Sequence, residues 1–356
     1  MPRDAKPQTV LSSQRFQVED SFDGINDFLY EQGMTDGLPV VPPTAERIAA
    51  MLAGTTLPAN ELVGVLDPLK GEATVEKIAV NAVMAGCRPE YMPLLVAATR
   101  GLADPRFNLY GLQATTNPIC PMLVINGPLR HRLQINSTAG CMGPGWRANA
   151  TIGRAVRLLL LNIGGGRPGE IDKATHGQPG KFTFCFGENE EENPWEPFHV
   201  ERGFRAEQSM VSLFGANGTV NIKDFYSQSA EGVLTTMAGT MTALGTSNIQ
   251  NAGDEPVMVF SPEQAATVAR EGLDKAAVKQ WLWEHSGVPV AAFSREAQAG
   301  RMARWDWAVN GRIYPAKVPE DIVILVAGGV APHSVYVPTS QALALTIPIG
   351  EEPARS

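Results

Sequence analysis

The chain has 356 residues, of which 44% are hydrophobic and 19% are charged, and this composition excludes a wholly disordered protein, a coiled-coil rod and a fibrous repeat. Its net charge is −8, and it has no long run of lysine and arginine. Because phosphate contacts carry most of the affinity of nucleic-acid-binding proteins, we expect no nucleic-acid partner.

The apolar runs of the sequence are too short for a membrane-spanning helix, which needs roughly 18–20 consecutive apolar residues. Residues 1–20 lack the apolar core and the cleavage site of a secretory signal. The four cysteines include no Cys-x-x-Cys pair and are too few for a disulfide-stapled secreted scaffold. We therefore expect a cytoplasmic protein with no membrane partner, in which the cysteines are thiols.

The predicted elements recur as a unit of strand, proline-containing turn and helix. The unit occurs at residues 38–52, 122–133 and 257–270. Proline suits the first turn of a helix because its fixed φ is helical and its missing N–H is not needed there. In chain order we predict a flexible arm at 1–20, a helix from 22 to near 33, a strand at 38–41, a helix at 45–52 with Thr44 as its N-cap, a strand at 122–126, helices through 133 and over 150–162, a strand at 257–260, helices through 270 and over 275–284, and a strand at 322–326.

The strands of these units are nearly continuous apolar runs, which is typical of parallel strands with helices packed on both faces. The sequence therefore predicts an α/β fold of repeated strand–proline–helix units, with a mostly parallel or mixed sheet flanked by helices and two lobes. A segment rich in Gly, Ser, Thr and Asn is expected to connect the lobes. The predicted divisions are an N-terminal lobe at 21–204, the connecting segment at 205–255, a C-terminal lobe at 256–350 and a tail at 351–356.

A glycine-rich loop after the second predicted strand carries the first candidate site. Its glycines permit unusual backbone conformations, and the helix that follows carries Arg147 and Arg154. Such a loop can direct backbone N–H groups, a helix dipole and guanidinium groups at a phosphate or carboxylate. The alternative is a turn before a helix whose arginines make structural salt bridges. The predicted substrate-binding residues are Asn117, Asn136, Gly143, Gly145, Arg147, Asn149, Arg154 and Ser334.

Cys141 lies in this loop and is the predicted nucleophile, because N–H groups and arginine would favour its reactive thiolate. Cys87 and Cys120 are expected to be small buried side chains. His333 and Ser334 follow a glycine-rich strand end, and parallel-sheet proteins bind ligands in the crevice beyond such ends. His333 is therefore a further candidate catalytic residue.

A second concentration of polar residues covers positions 176–203. Six acidic residues, two of the five histidines and one cysteine fall within 26 positions there, in a spacing that matches no established zinc pattern. One interpretation is acid–base chemistry by Glu188 or Glu190 beside an imidazole. Another is a structural loop. The third is a divalent-metal site formed by His176, Cys185 and His199 with a nearby glutamate.

Three runs of the sequence carry a resemblance to a known family. They are TVEKIAVNAVMAGC at 74–87, RANATIGR at 147–154, and AGG at 327–329 with His333-Ser334. These runs are similar to poorly characterised bacterial proteins grouped with the UGSC-type (seleno)protein family, and the likeness extends over most of residues 35–350. The selenocysteine- or cysteine-Gly-Ser-Cys element of that family is absent from this sequence. The resemblance implies a bacterial, cytoplasmic enzyme with thiol-related chemistry.

These features predict an enzyme that acts on a small carboxylate- or phosphate-bearing metabolite by hydrolysis, hydration or elimination. Cys141 attacks or polarises the substrate, either Glu188 or Glu190 moves a proton, and His333 completes the acid–base pair. We expect no organic cofactor, because no nicotinamide, flavin or pyridoxal motif is present. The alternatives are a divalent-metal-dependent hydrolase or lyase and a non-catalytic small-molecule-binding protein. The arm and the aromatic-rich segment at 281–307 predict a homo-oligomer.

Overall fold

Helices and strands alternate along the computed structural model, which describes residues 11–251, 254–300 and 308–350. The helices are α1 (Phe22–Glu31), α2 (Ala45–Leu52), α3 (Val75–Ala85), α4 (Met92–Ala103), α5 (Leu109–Gln113), α6 (Leu129–Arg132), α7 (Arg147–Asn162), α8 (Phe198–Glu201), α9 (Ala230–Met241), α10 (Ser247–Asn251), α11 (Pro262–Arg270), α12 (Lys275–His285) and α13 (Arg295–Ala299). The strands are β1 (Leu62–Leu66), β2 (Gly71–Thr74), β3 (Cys120–Asn126), β4 (Cys185–Gly187), β5 (Met210–Ala216), β6 (Val220–Lys223), β7 (Val257–Phe260), β8 (Val288–Pro289), β9 (Arg312–Ile313), β10 (Val323–Val326), β11 (His333–Val337) and β12 (Leu345–Pro348).

Two four-stranded mixed sheets form the centre of the fold, and they confirm the predicted α/β class. The first has the strand order β12-β5-β3-β4 and the second has the order β10-β7-β11-β6. Each contains one parallel pair, β3 with β4 and β7 with β10, and the remaining pairs are antiparallel. The two sheets therefore share one arrangement of strand directions.

Residues at alternate positions along a strand pack into different hydrophobic clusters, one on each face of the sheet. In β7, Val257 and Val259 join a cluster that also contains Met122 of β3, whereas Met258 and Phe260 pack with α9, α11 and α12. The opposite face of the first sheet packs in the same way against α3, α4 and α7. The layers are thus helix, sheet, sheet and helix. Strands covered on both faces must be apolar at every position, which explains the continuous hydrophobic runs of the sequence.

The predicted separation into two consecutive lobes differs from the structure. Residues 205–255 contain β5, which pairs with β3 in the first sheet, and β6, which lies at the edge of the second. The chain crosses back at its other end, because β11 belongs to the second sheet and β12 to the first. Each sheet therefore takes an edge strand from a distant part of the sequence.

Most predicted elements are confirmed, including α1, α2, β3, β7, α11, α12 and β10. The strand predicted at residues 38–41 is wrong, because this segment is irregular. The Val40 N–H donates to Asn26 Oδ1 and the Val41 N–H donates to Met84 O. Because these backbone groups are satisfied by a side chain and the end of a helix, the segment needs no neighbouring strand.

The N-terminal arm packs on its own chain from residue 11 onward, and residues 1–10 lie outside the described ranges. Ser12 and Ser13 both donate backbone hydrogen bonds to the buried Glu76 carboxylate of α3. Trp283 of the aromatic segment stacks on Tyr314, with 4.2 Å between the ring centroids. The homo-oligomer stays a prediction. No helix in the described ranges is long and apolar enough to cross a membrane.

Candidate functional site

A buried glutamate and a half-buried glutamate meet where β3 and β4 end. Glu188 directly follows β4, and its backbone N–H donates to Ile125 O of β3. Its Oε2 accepts hydrogen bonds from Asn126 Nδ2 at 2.6 Å and from the Phe198 N–H at 2.8 Å. Its Oε1 accepts a hydrogen bond from Asn193 Nδ2 at 2.9 Å. The Glu188 side chain is therefore fixed by three donors from three different segments.

Glu190 binds the same amide group. Its Oε1 accepts from Asn126 Nδ2 at 3.0 Å and from the Gly127 N–H at 2.7 Å. Its Oε2 lies 3.2 Å from Nη2 of the buried Arg130. Glu188 is completely buried, whereas the Glu190 side chain is 15% exposed. The pair therefore reaches solvent through Glu190.

The environment of this pair changes the proton affinities of its members. Burial raises the pKa of Glu188, because desolvation outweighs the opposing effects of Lys275 and of its hydrogen-bond donors. His199 of α8 is also completely buried. Burial lowers the pKa of His199, although the negative charge of Glu190 acts in the opposite direction. The charge of Glu190 and the desolvation of the imidazole therefore act on the pKa of His199 in opposite directions.

Three buried polar atoms around the pair have no hydrogen-bond partner among the described residues. They are Asn126 Oδ1, Arg130 Nε and His199 Nδ1. Buried polar atoms are nearly always hydrogen-bonded in native proteins, so an unpartnered group usually marks a bound water, an ion or a catalytic role. Three such atoms in one cluster make the Glu188–Glu190 pair the strongest candidate site of the described chain.

Cys141 lies nearby in the fold, where the glycine-rich loop meets the end of β10. The Gly328 N–H donates to Ser137 O at 2.9 Å, and the Asn189 N–H after β4 donates to Val326 O at 2.8 Å. Burial raises the pKa of Cys141 to about 11, although backbone N–H groups, including that of Gly328, favour the thiolate. The predicted lowering of this pKa is therefore wrong, because desolvation outweighs the backbone N–H groups that favour the thiolate.

The buried residues predicted to bind substrate hold the glycine-rich loop in place. Asn149 Oδ1 accepts from the Asn136 N–H, and Asn149 Nδ2 donates to both Asn136 O and Cys141 O. Arg154 forms a bidentate pair with Asp36, both contacts being 2.8 Å. These contacts satisfy the side chains within the protein. Arg154 therefore makes a structural salt bridge, which was the alternative to its role in binding an anion.

The remaining predicted binding residues lie apart from one another. Asn117 Nδ2 donates to Ser247 Oγ at 3.2 Å. Gly143 and Gly145 are exposed in the loop, and the exposed Arg147 follows them at the start of α7. Arg147 acts electrostatically on Tyr91, which precedes α4. Of this set, Arg147 and the two glycines are exposed, whereas Asn117 is half-buried.

His333 and Ser334 occupy opposite environments on β11. His333 is exposed, with Nδ1 3.3 Å from Asn221 Nδ2 and its ring against Phe225. Ser334 is buried, where its hydroxyl accepts from the Ser261 N–H and donates to Gln264. Ser334 therefore joins β11 to the start of α11. None of these contacts links His333 to Cys141 or to the glutamate pair.

The three residues of the alternative metal site are separated. His176 is exposed in a loop, and Cys185 of β4 packs in the helix-side core. His199 Nε2 lies 3.4 Å from Ala206 O. Within residues 11–251, 254–300 and 308–350, no group of three or more His, Cys, Asp or Glu side chains is arranged to hold a metal ion.

Sequence reasoning missed Asn126, Arg130 and Asn193. Asn126 is the last residue of a predicted strand, which is the position where α/β proteins place ligand-binding groups. That signal could have identified it. Arg130 and Asn193 carry no comparable signal, because their contacts with the glutamates depend on how the loops fold.

Comparisons with protein-family models, with curated proteins and with solved structures found no match to this chain.

Proposed function

We propose that the chain is an enzyme that moves protons at the Glu188–Glu190 pair during hydrolysis, hydration or elimination of a small acidic metabolite. The observation that carries this proposal is the sharing of one Asn126 amide by two carboxylates in different surroundings. Acid–base sites commonly use two titratable groups whose environments differ in this way. Burial raises the pKa of Glu188, and the partly exposed Glu190 contacts the substrate.

We infer an acidic substrate from the contacts of Arg130. Its guanidinium is buried and contacts Glu190 and Glu191, yet its Nε has no hydrogen-bond partner among the described residues. A guanidinium with a free N–H can bind a carboxylate or phosphate oxygen. His199, whose Nδ1 also lacks a partner in this part of the chain, supplies a second group for the same substrate.

The proposal is tested first with a panel of small carboxylic and phosphorylated acids. Ligands are selected by the rise in melting temperature, and turnover is followed by proton NMR. We expect Glu190→Gln to lower kcat by about 10²- to 10⁴-fold, the usual contribution of a general acid or base. Glu192→Gln is the matched control, because Glu192 is an exposed carboxylate of the same loop.

Two results would contradict the proposal. Full activity of a folded Glu190→Gln variant removes the acid–base role. A saturable ligand that is never converted, at any concentration of enzyme, favours the non-catalytic binding protein. Cys141→Ser tests in the same assay whether the reaction uses the thiol or the Glu188–Glu190 pair. We expect the variant to retain activity, because the raised pKa of Cys141 keeps the thiol protonated at neutral pH.

A further inference from the structure

A cavity lies between the N-terminal arm and helices α1, α2 and α3. Its volume is about 560 Å³, within the range of pockets that hold drug-sized ligands. It shares no lining residue with the Glu188–Glu190 pair. Its wall is mostly apolar and includes Phe16, Phe28, Ile48, Val80 and Met84.

The arm that closes this cavity is fixed by Glu76. The Ser12 N–H and hydroxyl donate to Glu76 Oε2, both at 2.9 Å, and the Ser13 N–H donates to Oε1 at 2.8 Å. Burial opposes ionisation of Glu76, but these hydrogen bonds outweigh it and hold the pKa of the carboxyl below its usual value. The single buried carboxylate of the cavity wall is therefore already satisfied by the protein.

The cavity contains cationic side chains without carboxylate partners. Arg167 is half-buried beside Gly33, and its guanidinium makes no hydrogen bond or ion pair with any described residue. Lys77 also lines the cavity and donates only to a backbone carbonyl, Glu72 O. A half-buried guanidinium lacking a partner is a natural ligand for a carboxylate, which it can bind through two parallel hydrogen bonds.

Asn162 borders the cavity but offers no free donor to a ligand. Asn162 lines the cavity, and its Nδ2 donates to Asn81 Oδ1 at 2.7 Å and to Met34 O at 3.1 Å. Its Oδ1 is buried and has no donor among the described residues. Both N–H groups of Asn162 are therefore used within the protein, and the cationic side chains of the wall are left to bind an anion.

We propose that this cavity binds an apolar monocarboxylic acid. The carboxylate pairs with Arg167, and the alkyl or aryl body packs among the apolar side chains of α1, α2, α3 and the arm. The burial of apolar ligand surface contributes most of the affinity. The guanidinium supplies the preference for an acid over the uncharged alcohol of the same length.

The experiment compares octanoate with 1-octanol by isothermal titration calorimetry on the full chain. For octanoate, we expect Arg167→Gln to raise Kd at least tenfold, while Arg270→Gln leaves it within twofold. Arg270 is the matched control, because it is an exposed arginine at the end of α11, outside the cavity. For 1-octanol, Arg167→Gln leaves Kd within twofold.

The proposal is overturned if octanoate does not bind the wild-type chain, or if Arg167→Gln binds octanoate as tightly as the wild type. Circular dichroism establishes whether each variant folds. Should Arg167→Gln fail to fold, Arg167→Lys replaces it: this variant keeps the charge but loses the bidentate geometry. An increase in its octanoate Kd of threefold or more supports the proposal, and an unchanged Kd contradicts it.

Discussion

Asn126 is the residue on which the candidate site depends most directly. Its single NH₂ group donates to both Glu188 and Glu190, and the whole residue is buried. An amide is the one side chain of this size that is neutral and offers two donors. The donor that they share offsets part of the repulsion between the two carboxylates.

Replacing this amide by a carboxyl is predicted to destabilise the protein. Asn126→Asp keeps the shape but adds an acceptor and a third acidic group beside Glu188 and Glu190. We expect the free energy of unfolding at pH 7 to fall by about 3 kcal/mol, the scale of an uncompensated buried charge. The introduced carboxyl has a raised pKa in the folded state, so the deficit grows as pH rises and shrinks below pH about 4.

Urea denaturation at pH 7 and pH 4 measures this effect. Asn60→Asp is the control, because Asn60 is exposed. A loss of stability that is equal at the two pH values, or a loss no larger than in the control, would contradict the assignment of a buried donor shared by two carboxylates.

The four cysteines are predicted to be unreactive in the folded protein. Burial raises the pKa of Cys141 to about 11 and the pKa of Cys87 and Cys120 to about 12, and it raises that of Cys185 as well. Since the thiolate is the form that attacks disulfides, Ellman's reagent at pH 7.5 should release its chromophore slowly from the native chain and rapidly in urea. Rapid release from native protein, lost in Cys141→Ser, would restore Cys141 as the nucleophile.

Helix α7 contacts the irregular segment that precedes α2 through Arg154. Arg154 binds both oxygens of Asp36, whose side chain is only 2% exposed, and it also donates to Leu38 O and Pro39 O. The segment that follows α1 therefore keeps its shape through one side chain of a helix that begins more than a hundred residues later. This contact explains why residues 38–41 stay irregular despite their apolar sequence.

Two arginines of α7 are predicted to behave differently when replaced by leucine. Arg154→Leu leaves the buried Asp36 without its partner, and we expect a loss of about 3 kcal/mol in the free energy of unfolding. Arg147→Leu removes an exposed side chain, for which changes within about 0.5 kcal/mol are usual. Urea titrations of the two variants give the comparison, and equal effects would show that the Arg154–Asp36 pair does not stabilise the fold.

Glu201 joins the segment that carries the candidate site to α12, which packs against the second sheet. It is the last residue of α8 and contacts Lys275 at 2.8 Å and also Lys279, both on α12. Phe198 of α8 belongs to the core between the sheets, whereas α12 packs on the outer face of the second sheet. The two lysines are buried, and Glu201 is the carboxylate that pairs with both of them.

Removing that carboxylate is predicted to weaken the assembly of the layers. Glu201→Gln keeps the size but removes the carboxylate that pairs with two buried ammonium groups, and we expect a loss of about 3 kcal/mol in the free energy of unfolding. Glu263→Gln on α11 is the exposed control. The two lysines hold the pKa of Glu201 below its usual value despite burial, which opposes ionisation.

The pH dependence of the stability of the same variant tests whether the ionised form of Glu201 stabilises the fold. Because the folded-state pKa of Glu201 is lowered, its stabilising contribution is present above the unfolded pKa and is lost as pH falls through the folded pKa. The wild-type chain should therefore lose more stability than Glu201→Gln between neutral pH and the acid range. Parallel curves for the two proteins would contradict a stabilising role for the ionised carboxylate.

Local elements could be predicted from the sequence, because their signals lie within a few residues. Ser21 and Thr44 accept hydrogen bonds from the N–H groups three residues later, as the helix-start pattern requires. The apolar strands at 122–126 and 257–260 and the helices that follow them also appear in the structure close to their predicted bounds. The same reasoning identified Glu188 and Glu190 as candidates but paired them with His333, whereas in the structure they share Asn126.

The sequence by itself determined the α/β class, most of the elements and the acidic segment after β4. Tertiary structure alone decided that β5 and β12 complete the first sheet, that Glu188 and Glu190 converge on Asn126, and that Cys141 is desolvated. Strand pairing and burial depend on contacts between residues far apart in the chain, and the Asn126–Glu188 contact spans 62 positions. Periodicity and capping report only on neighbours along the chain, whereas a pKa or a shared hydrogen bond is set by whichever segments surround the group in space.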